Sequence, residues 1–273
     1  MPPPIAVLSV EFALIFAGLA LLWQLALNPA ARARPAPSLL PKWDLPFINF
    51  LLFLWCVLAG GVIGQFLALG ALRWGAAASP ETRRIIVGAG FQLGLLAGCI
   101  GFRRLSSKYG PANASTWTPR PVNALIAGSA TFLVAMPLLA IMSLAWQFGL
   151  ERLGIPAERQ DLFDLFTHAK SPALLTLLIV LAIVVAPVTE ELIFRAGIFR
   201  YVRQRLPRWP ALLLPACLFG ALHANLASFA PLVVLGLVFS LAYERTGNIA
   251  VPMVAHGLFN LNTLLLVYAG VGL

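Results

Sequence analysis

The sequence predicts an all-α, polytopic membrane helix bundle of about eight transmembrane helices, and three observations carry that prediction. Of the 273 residues, 60% are hydrophobic and only 11% charged, where a soluble domain carries about 25% charged residues. The deficit is spread along the chain as long apolar runs, several of them near the roughly 20 residues that a bilayer-spanning helix needs. No stretch between the runs is large enough to make a soluble domain. One integral-membrane domain over 1–273 is therefore expected. Backbone groups at membrane depth must be satisfied inside the protein, which selects helices.

Taken in order, spans are expected near 5–28, 46–72, 85–102, 121–149, 172–194, 210–224, 229–243 and 249–269. The run 46–72 is long and glycine-rich, which suggests a kink or a tilt. The sixth and seventh runs are short for full spans, as helices enclosed in a bundle can be. The N-terminus lacks a basic region and a small-residue cleavage site ahead of a globular part, so the first run is expected to be retained as a span. "RARPAPSLLPKWDLP" (32–46) reads as a proline-rich connector with no further role. "LERLGIPAERQDLFDLFTHAK" (150–170) mixes Leu162, Phe163, Leu165 and Phe166 with Asp161, Asp164 and His168. It is expected to be amphipathic and to lie along the interface, with His168 facing headgroups.

The net charge is +9. In a soluble protein that would suggest nucleic-acid binding. Here the basic residues sit in short loops between apolar runs, where they set orientation and meet anionic headgroups instead. Eight spans put Arg32, Arg34, Lys42, Arg103, Arg104, Lys108, Arg120, the 195–208 cluster and Arg245 on one side, which holds most of the 19 Lys and Arg residues. That side is assigned to the cytoplasm of a bacterial inner membrane, with both termini outside. Cys56, Cys99 and Cys217 lie in three different apolar runs. An odd count without CxxC spacing gives neither a disulfide framework nor a metal knuckle.

Ionisable residues inside spans are costly, and each is a functional hypothesis by default. Glu11 in the first span has no visible partner, and snorkelling or a packing hydrogen bond explains it. The C-terminal half is different, because it carries Glu190, Glu191, Arg195, His223 and His256, with Asn260 as a neutral companion. Glu191 and Arg195 are four apart and share a helical face, the spacing of an ion pair. Glu190 points about 100° away from Glu191. The pair therefore reads as structural or electrostatic, while Glu190 is the carboxylate available to act on water. Pro187 can bend the helix just upstream. The competing reading is that all three charges mark the end of a span. His256 and Asn260 share a face at i and i+4, and Phe219 precedes His223 by one turn. A histidine on an apolar helix is often a core residue; two of the chain's three histidines in late helices raise the functional reading.

Three motifs occur in one order: EExxxR (Glu190, Glu191, Arg195), FxxxH (Phe219, His223) and HxxxN (His256, Asn260). With the flanks "APVTEELIFR" and "YERTGNIAVPMVAHGLFNLN", they resemble the CAAX prenyl protease and bacteriocin-processing family of intramembrane endopeptidases, also called the Abi family. The resemblance covers residues 172–262; the N-terminal 170 residues match only as hydrophobic spans. Ala196 stands where the family usually has glycine directly after the arginine, and Gly197 follows it.

The resemblance implies a bundle of about eight spans in which the motif residues converge on a cavity. It implies that Glu190 with His223 activates water, that Glu191 and Arg195 stabilise the site, and that His256 with Asn260 stabilises the oxyanion. Peptide hydrolysis needs a positioned water, a base and donors aimed at the developing oxyanion. No cofactor is favoured. A zinc alternative stays open, with Glu190, His223 and His256 as three ligands, although there is no HExxH. The implied partners are membrane lipids and a peptide or protein substrate, lipidated at its C-terminus if the prenyl-protein members are the guide. Two other functions compete with hydrolysis. One is a non-catalytic immunity or scaffold protein that holds a peptide in the same cavity. The other is a proton-coupled transporter, which would normally show repeat-related halves, and no repeat is visible here. Serine and cysteine chemistry is disfavoured, since there is no GxSxG elbow and Cys217 has no nearby base in sequence.

Overall fold

A computed structural model describes residues 5–34, 37–74, 79–109, 121–155 and 171–271. The described residues are helical, with short connectors. In chain order the helices are α1 (Ile5–Leu22, extended by a π-helical turn Trp23–Leu27), α2 (Pro29–Ala33), α3 (Phe47–Trp74), α4 (Pro80–Tyr109) and α5 (Pro121–Arg152). A continuous helix α6 (Pro172–Arg203) follows, then α7 (Arg208–Leu222), α8 (Leu226–Thr246) and α9 (Ala250–Tyr268). Seven helices are long and apolar enough to cross a membrane, and α7 is a shorter apolar helix among them. The chain is an integral membrane protein of the all-α, polytopic class. Of the expected interfacial segment 150–170, residues 156–170, His168 included, lie outside the described residues.

The helices group into two compact units. The first contains α3, α4 and α6. Its α3–α4 pair is antiparallel and held by small residues: Gly60 and Gly64 on α3 face Gly94 and Gly90 on α4, and Gly98 faces the backbone at Cys56. In lipid no hydrophobic force drives helices together, so close backbone approach and dispersion contacts do. The glycines in 46–72 therefore serve packing, and α3 runs through them as one unbroken α-helix. A methyl group at Gly94 would collide with the Gly60 carbonyl oxygen, whereas one at Gly101 meets open space. Gly94→Ala should cost about 1–3 kcal/mol of stability through overpacking and Gly101→Ala almost nothing. Thermal unfolding in detergent compares the two, and equal effects would contradict this packing.

At one end of that pair lies an aromatic cluster. Trp43 makes edge contacts with Phe50, Phe53 and Tyr201, while Phe53 meets Phe102. The Phe50 and Tyr201 rings stack 3.8 Å apart. The fully buried Arg200 places its guanidinium 4.5 Å from the centre of the Trp43 ring, a desolvated cation–π contact. Gly197 is required here, because a Cβ at that position would strike the Phe53 ring. Ala196 beside it is fully buried without difficulty. The close approach after the arginine is thus made at 197.

The second unit contains α1, α2, α5, α7, α8 and α9. Gly18 lets α1 lie against the Leu133 backbone of α5, and Gly128 lets α5 lie against Val254 of α9. Helices α7 and α8 form an antiparallel hairpin, closed at its open end by an ion pair between Arg208 Nε and Glu244 Oε2 at 2.9 Å. The "YERTGN" flank is explained by structure alone. Glu244 supplies that pair, Gly247 ends α8 in the left-handed region (φ 62°), and Asn248 Oδ1 accepts from the Ala250 N–H at 3.1 Å. The 37–41 connector is not idle either. Leu39 N–H donates to the Glu244 carbonyl at 2.8 Å, and a side chain at Gly247 would hit the Leu39 carbonyl.

Candidate active site

Helix α6 is the least regular helix of the first unit. It is α-helical over Pro172–Val180, π-helical over Leu181–Val185, α-helical over Ala186–Glu191, and π-helical again over Leu192–Phe199. Such wide turns are rare and concentrate at functional sites. Pro187 sits at the start of the short α-helical stretch, directly after the first wide turn. All ten residues from Glu191 to Arg200 are buried, so this stretch has no solvent face.

The motif "TEELIFR" lies inside this helix rather than at its end. The helix runs to Arg203, past the expected stop at 194, because its charges are neutralised internally. Arg195 Nη1 donates to Glu191 Oε1 at 2.9 Å, with the two side chains 1% and 0% exposed. Charges marking a span end would be solvated, and these are sealed. Thr189, also fully buried, returns its hydroxyl to the Val185 carbonyl at 2.7 Å. Glu190 is half-buried and projects about 100° from Glu191.

In the second unit, His223, His256 and Asn260 come from α7 and α9. His256 is buried in the middle of α9, 4% exposed, and Asn260 is half-buried one turn further on. His223 is not within a span. It is the exposed C-terminal cap of α7. The 15 residues of α7 reach about 22 Å, short of a bilayer's hydrocarbon thickness of about 30 Å. After His223 the chain turns through Ala224 at φ 50°, and Asn225 caps α8 by accepting from Ser228 N–H at 2.9 Å.

Two features define the histidines. Phe219 makes edge contacts with both rings, with centroids 4.8 Å from His223 and 6.0 Å from His256. The buried Phe239 of α8 packs at 5.3 Å on the His256 ring. His223 Nδ1 lies 2.7 Å from the Phe219 carbonyl oxygen. A carbonyl can only accept, so Nδ1 carries the proton. In the neutral ring Nε2 is then left with its lone pair outward. Sequence reasoning missed Phe239, Trp43 and Arg200. Phe239 is 17 residues before His256, a separation with no helical meaning until α8 and α9 pack. Among the described residues, neither unit by itself groups three His, Cys, Asp or Glu side chains able to hold a metal ion.

Residues 172–262 match the family described as type II CAAX prenyl endopeptidase, Rce1-like. Over this region, a third of the chain, the sequence is similar to that family. The region holds all seven motif residues and ends within α9. The "Putative membrane peptidase YdiL" of Bacillus subtilis (strain 168) is 34% identical over 84 residues, covering 31% of this chain and 34% of its own length. An "Uncharacterized 24.3 kDa protein" of Escherichia coli is 34% identical over 110 residues, covering 38% of this chain and 49% of its own. The chain thus spans a third to a half of the length of the curated relatives it matches. No solved structure matches it significantly.

Proposed function

We propose that the protein is an intramembrane endopeptidase of the CAAX-processing type, with a water activated by Glu190. The observation that carries this reading is the family match over 172–262, which encloses Glu190, Glu191, Arg195, His223, His256 and Asn260 in one region. The local geometry supports distinct roles. Glu191 is held by Arg195 at 2.9 Å, which supports a structural or electrostatic role for it, and the base function is proposed for Glu190. His223, with Nδ1 bound to a carbonyl, offers Nε2 as an acceptor.

In the proposed step, water gives a proton to Glu190, assisted by His223, as its oxygen bonds to the peptide carbonyl carbon. His256 and Asn260 donate to the oxyanion. The C–N bond then breaks, and the proton held by the carboxyl passes to the leaving amine. Each of these groups comes from this chain. In the competing reading Glu190, His223 and His256 would hold a zinc ion, which would supply the nucleophile by acidifying water. The distribution of Lys and Arg supports a site opening to the cytoplasmic face of the inner membrane. The substrate is a peptide or protein segment, tested with and without a C-terminal lipid.

The test uses purified full-length protein in nanodiscs with a peptide library whose members end in free or isoprenylated cysteine motifs. Cleavage is expected to survive a chelator and to fall by roughly 10²-fold or more in His223→Ala. Cleavage abolished by the chelator and restored by zinc would replace the proposed base with the metal. Absence of any cleavage, or normal cleavage by His223→Ala, would overturn the reading.

A further inference from the structure

The turn that carries His223 is held from outside the family-matched region, by α5. Four short-range features converge on it. His223 caps α7, Ala224 takes a left-handed conformation that a residue with a Cβ rarely adopts (φ 50°), Asn225 caps α8, and Leu226 begins α8. A non-glycine residue in that region persists only where its surroundings over-determine it, and such residues gather at functional sites. Local capping accounts for Asn225, whose Oδ1 also meets the Ser228 hydroxyl at 2.9 Å. The long-range tie is Trp146. Its indole Nε1–H donates to the Leu226 carbonyl at 2.8 Å, across 80 residues of sequence, and its ring packs at 6.3 Å on Phe229.

We infer that Trp146 is a positioning residue for His223. Leu226 is three residues from His223, with the left-handed Ala224 and the cap Asn225 between them. Fixing the Leu226 carbonyl sets the direction in which the chain must enter α8, and so the closure of the turn. The His223 ring has one hydrogen bond that selects its tautomer, from Nδ1 to the Phe219 carbonyl at 2.7 Å. That bond forms only if the helix end stays closed, so Trp146 acts on the histidine through the turn. The catalytic half of this inference rests on the proposed role of His223; the tautomer half does not. It also gives α5, outside the matched residues 172–262, a part in the site.

The experiment compares wild type, Trp146→Phe and Trp146→Gln as full-length protein in nanodiscs. Phenylalanine keeps an aromatic ring against Phe229 and cannot donate; glutamine restores a donor of similar reach. In ¹⁵N-histidine NMR the His223 signals are assigned by their loss in His223→Gln. At a pH alkaline enough to keep the ring neutral, wild type is expected to show the His223 proton on Nδ1 alone. Trp146→Phe should show a tautomer mixture, and Trp146→Gln a return toward the single form. Where cleavage is measurable, kcat should fall roughly ten- to a hundredfold in Trp146→Phe with KM nearly unchanged, as misplacement of a catalytic group does. A single Nδ1–H tautomer in folded Trp146→Phe overturns the inference, whatever the rate. If Trp146→Phe does not fold, Phe229→Leu removes the ring contact and keeps the hydrogen bond. A tautomer mixture in that variant overturns the inference, and a single tautomer supports it. Loss of cleavage in every preparation, wild type included, would count against the proposed function while the tautomer result still decides the role of Trp146.

Discussion

Glu190→Gln is expected to abolish peptide cleavage while leaving the fold intact. Glutamine has almost the same shape, yet its amide cannot take a proton from water. Glu190 is half-buried and is not the carboxylate in the 2.9 Å bond with Arg195, so the substitution should leave that pair standing. Loss of general-base assistance typically costs 10²–10⁴-fold. The drop should appear in kcat with KM little changed, since the interaction is made in the transition state. Single-turnover cleavage, read beside the unfolding temperature, is the measurement. Full activity in Glu190→Gln would remove Glu190 from the base role, and a matching fall in unfolding temperature would show its role to be structural.

Arg195→Met is expected to destabilise the protein by about 3–5 kcal/mol, the usual cost of breaking a buried ion pair from one side. The guanidinium is 1% exposed and its partner carboxylate 0%, so Glu191 cannot turn to water when Arg195 is lost. Replacing both residues, as Glu191→Met with Arg195→Met, should recover most of that stability, because neither half of the pair is then left as an uncompensated buried charge. Arg195→Lys should rescue only part, since a point charge on a flexible stem does not reproduce a planar fork. Equilibrium unfolding in mixed micelles measures all three. A double variant as unstable as the single one would mean that the pair is not the cause. Cleavage should be lost in the double variant even if stability returns, which separates the pair's electrostatic task from its structural one.

These two predictions concern neighbouring carboxylates, and the sequence already distinguished them. Spacing of four placed Glu191 and Arg195 on one face, and adjacency turned Glu190 away. Local helical geometry sufficed. What the spacing could not reveal was burial. An apolar run interrupted by three charges reads as a span that stops near 194. In the structure it continues to Arg203, because Arg195 neutralises Glu191 within the helix and Arg200 lies on Trp43. The same limit applies to the glycines of α3, whose meaning depends on the facing glycines of α4. It applies to His223 as well, which periodicity placed inside a helix and the left-handed Ala224 places at its end.

By itself the sequence determined the class, the approximate spans, the family region 172–262 and the six candidate site residues. The class and the spans are written in local composition, while the region and the grouping of the six residues rest on three motifs in one order and the family they resemble. Only the tertiary structure decided which charges are sealed, which glycines touch a neighbouring backbone, which nitrogen of His223 holds its proton, and that Trp146 reaches Leu226. Those depend on atoms brought together from distant parts of the chain. A pattern of 3.6 residues records which face a side chain occupies and carries no information about what that face meets.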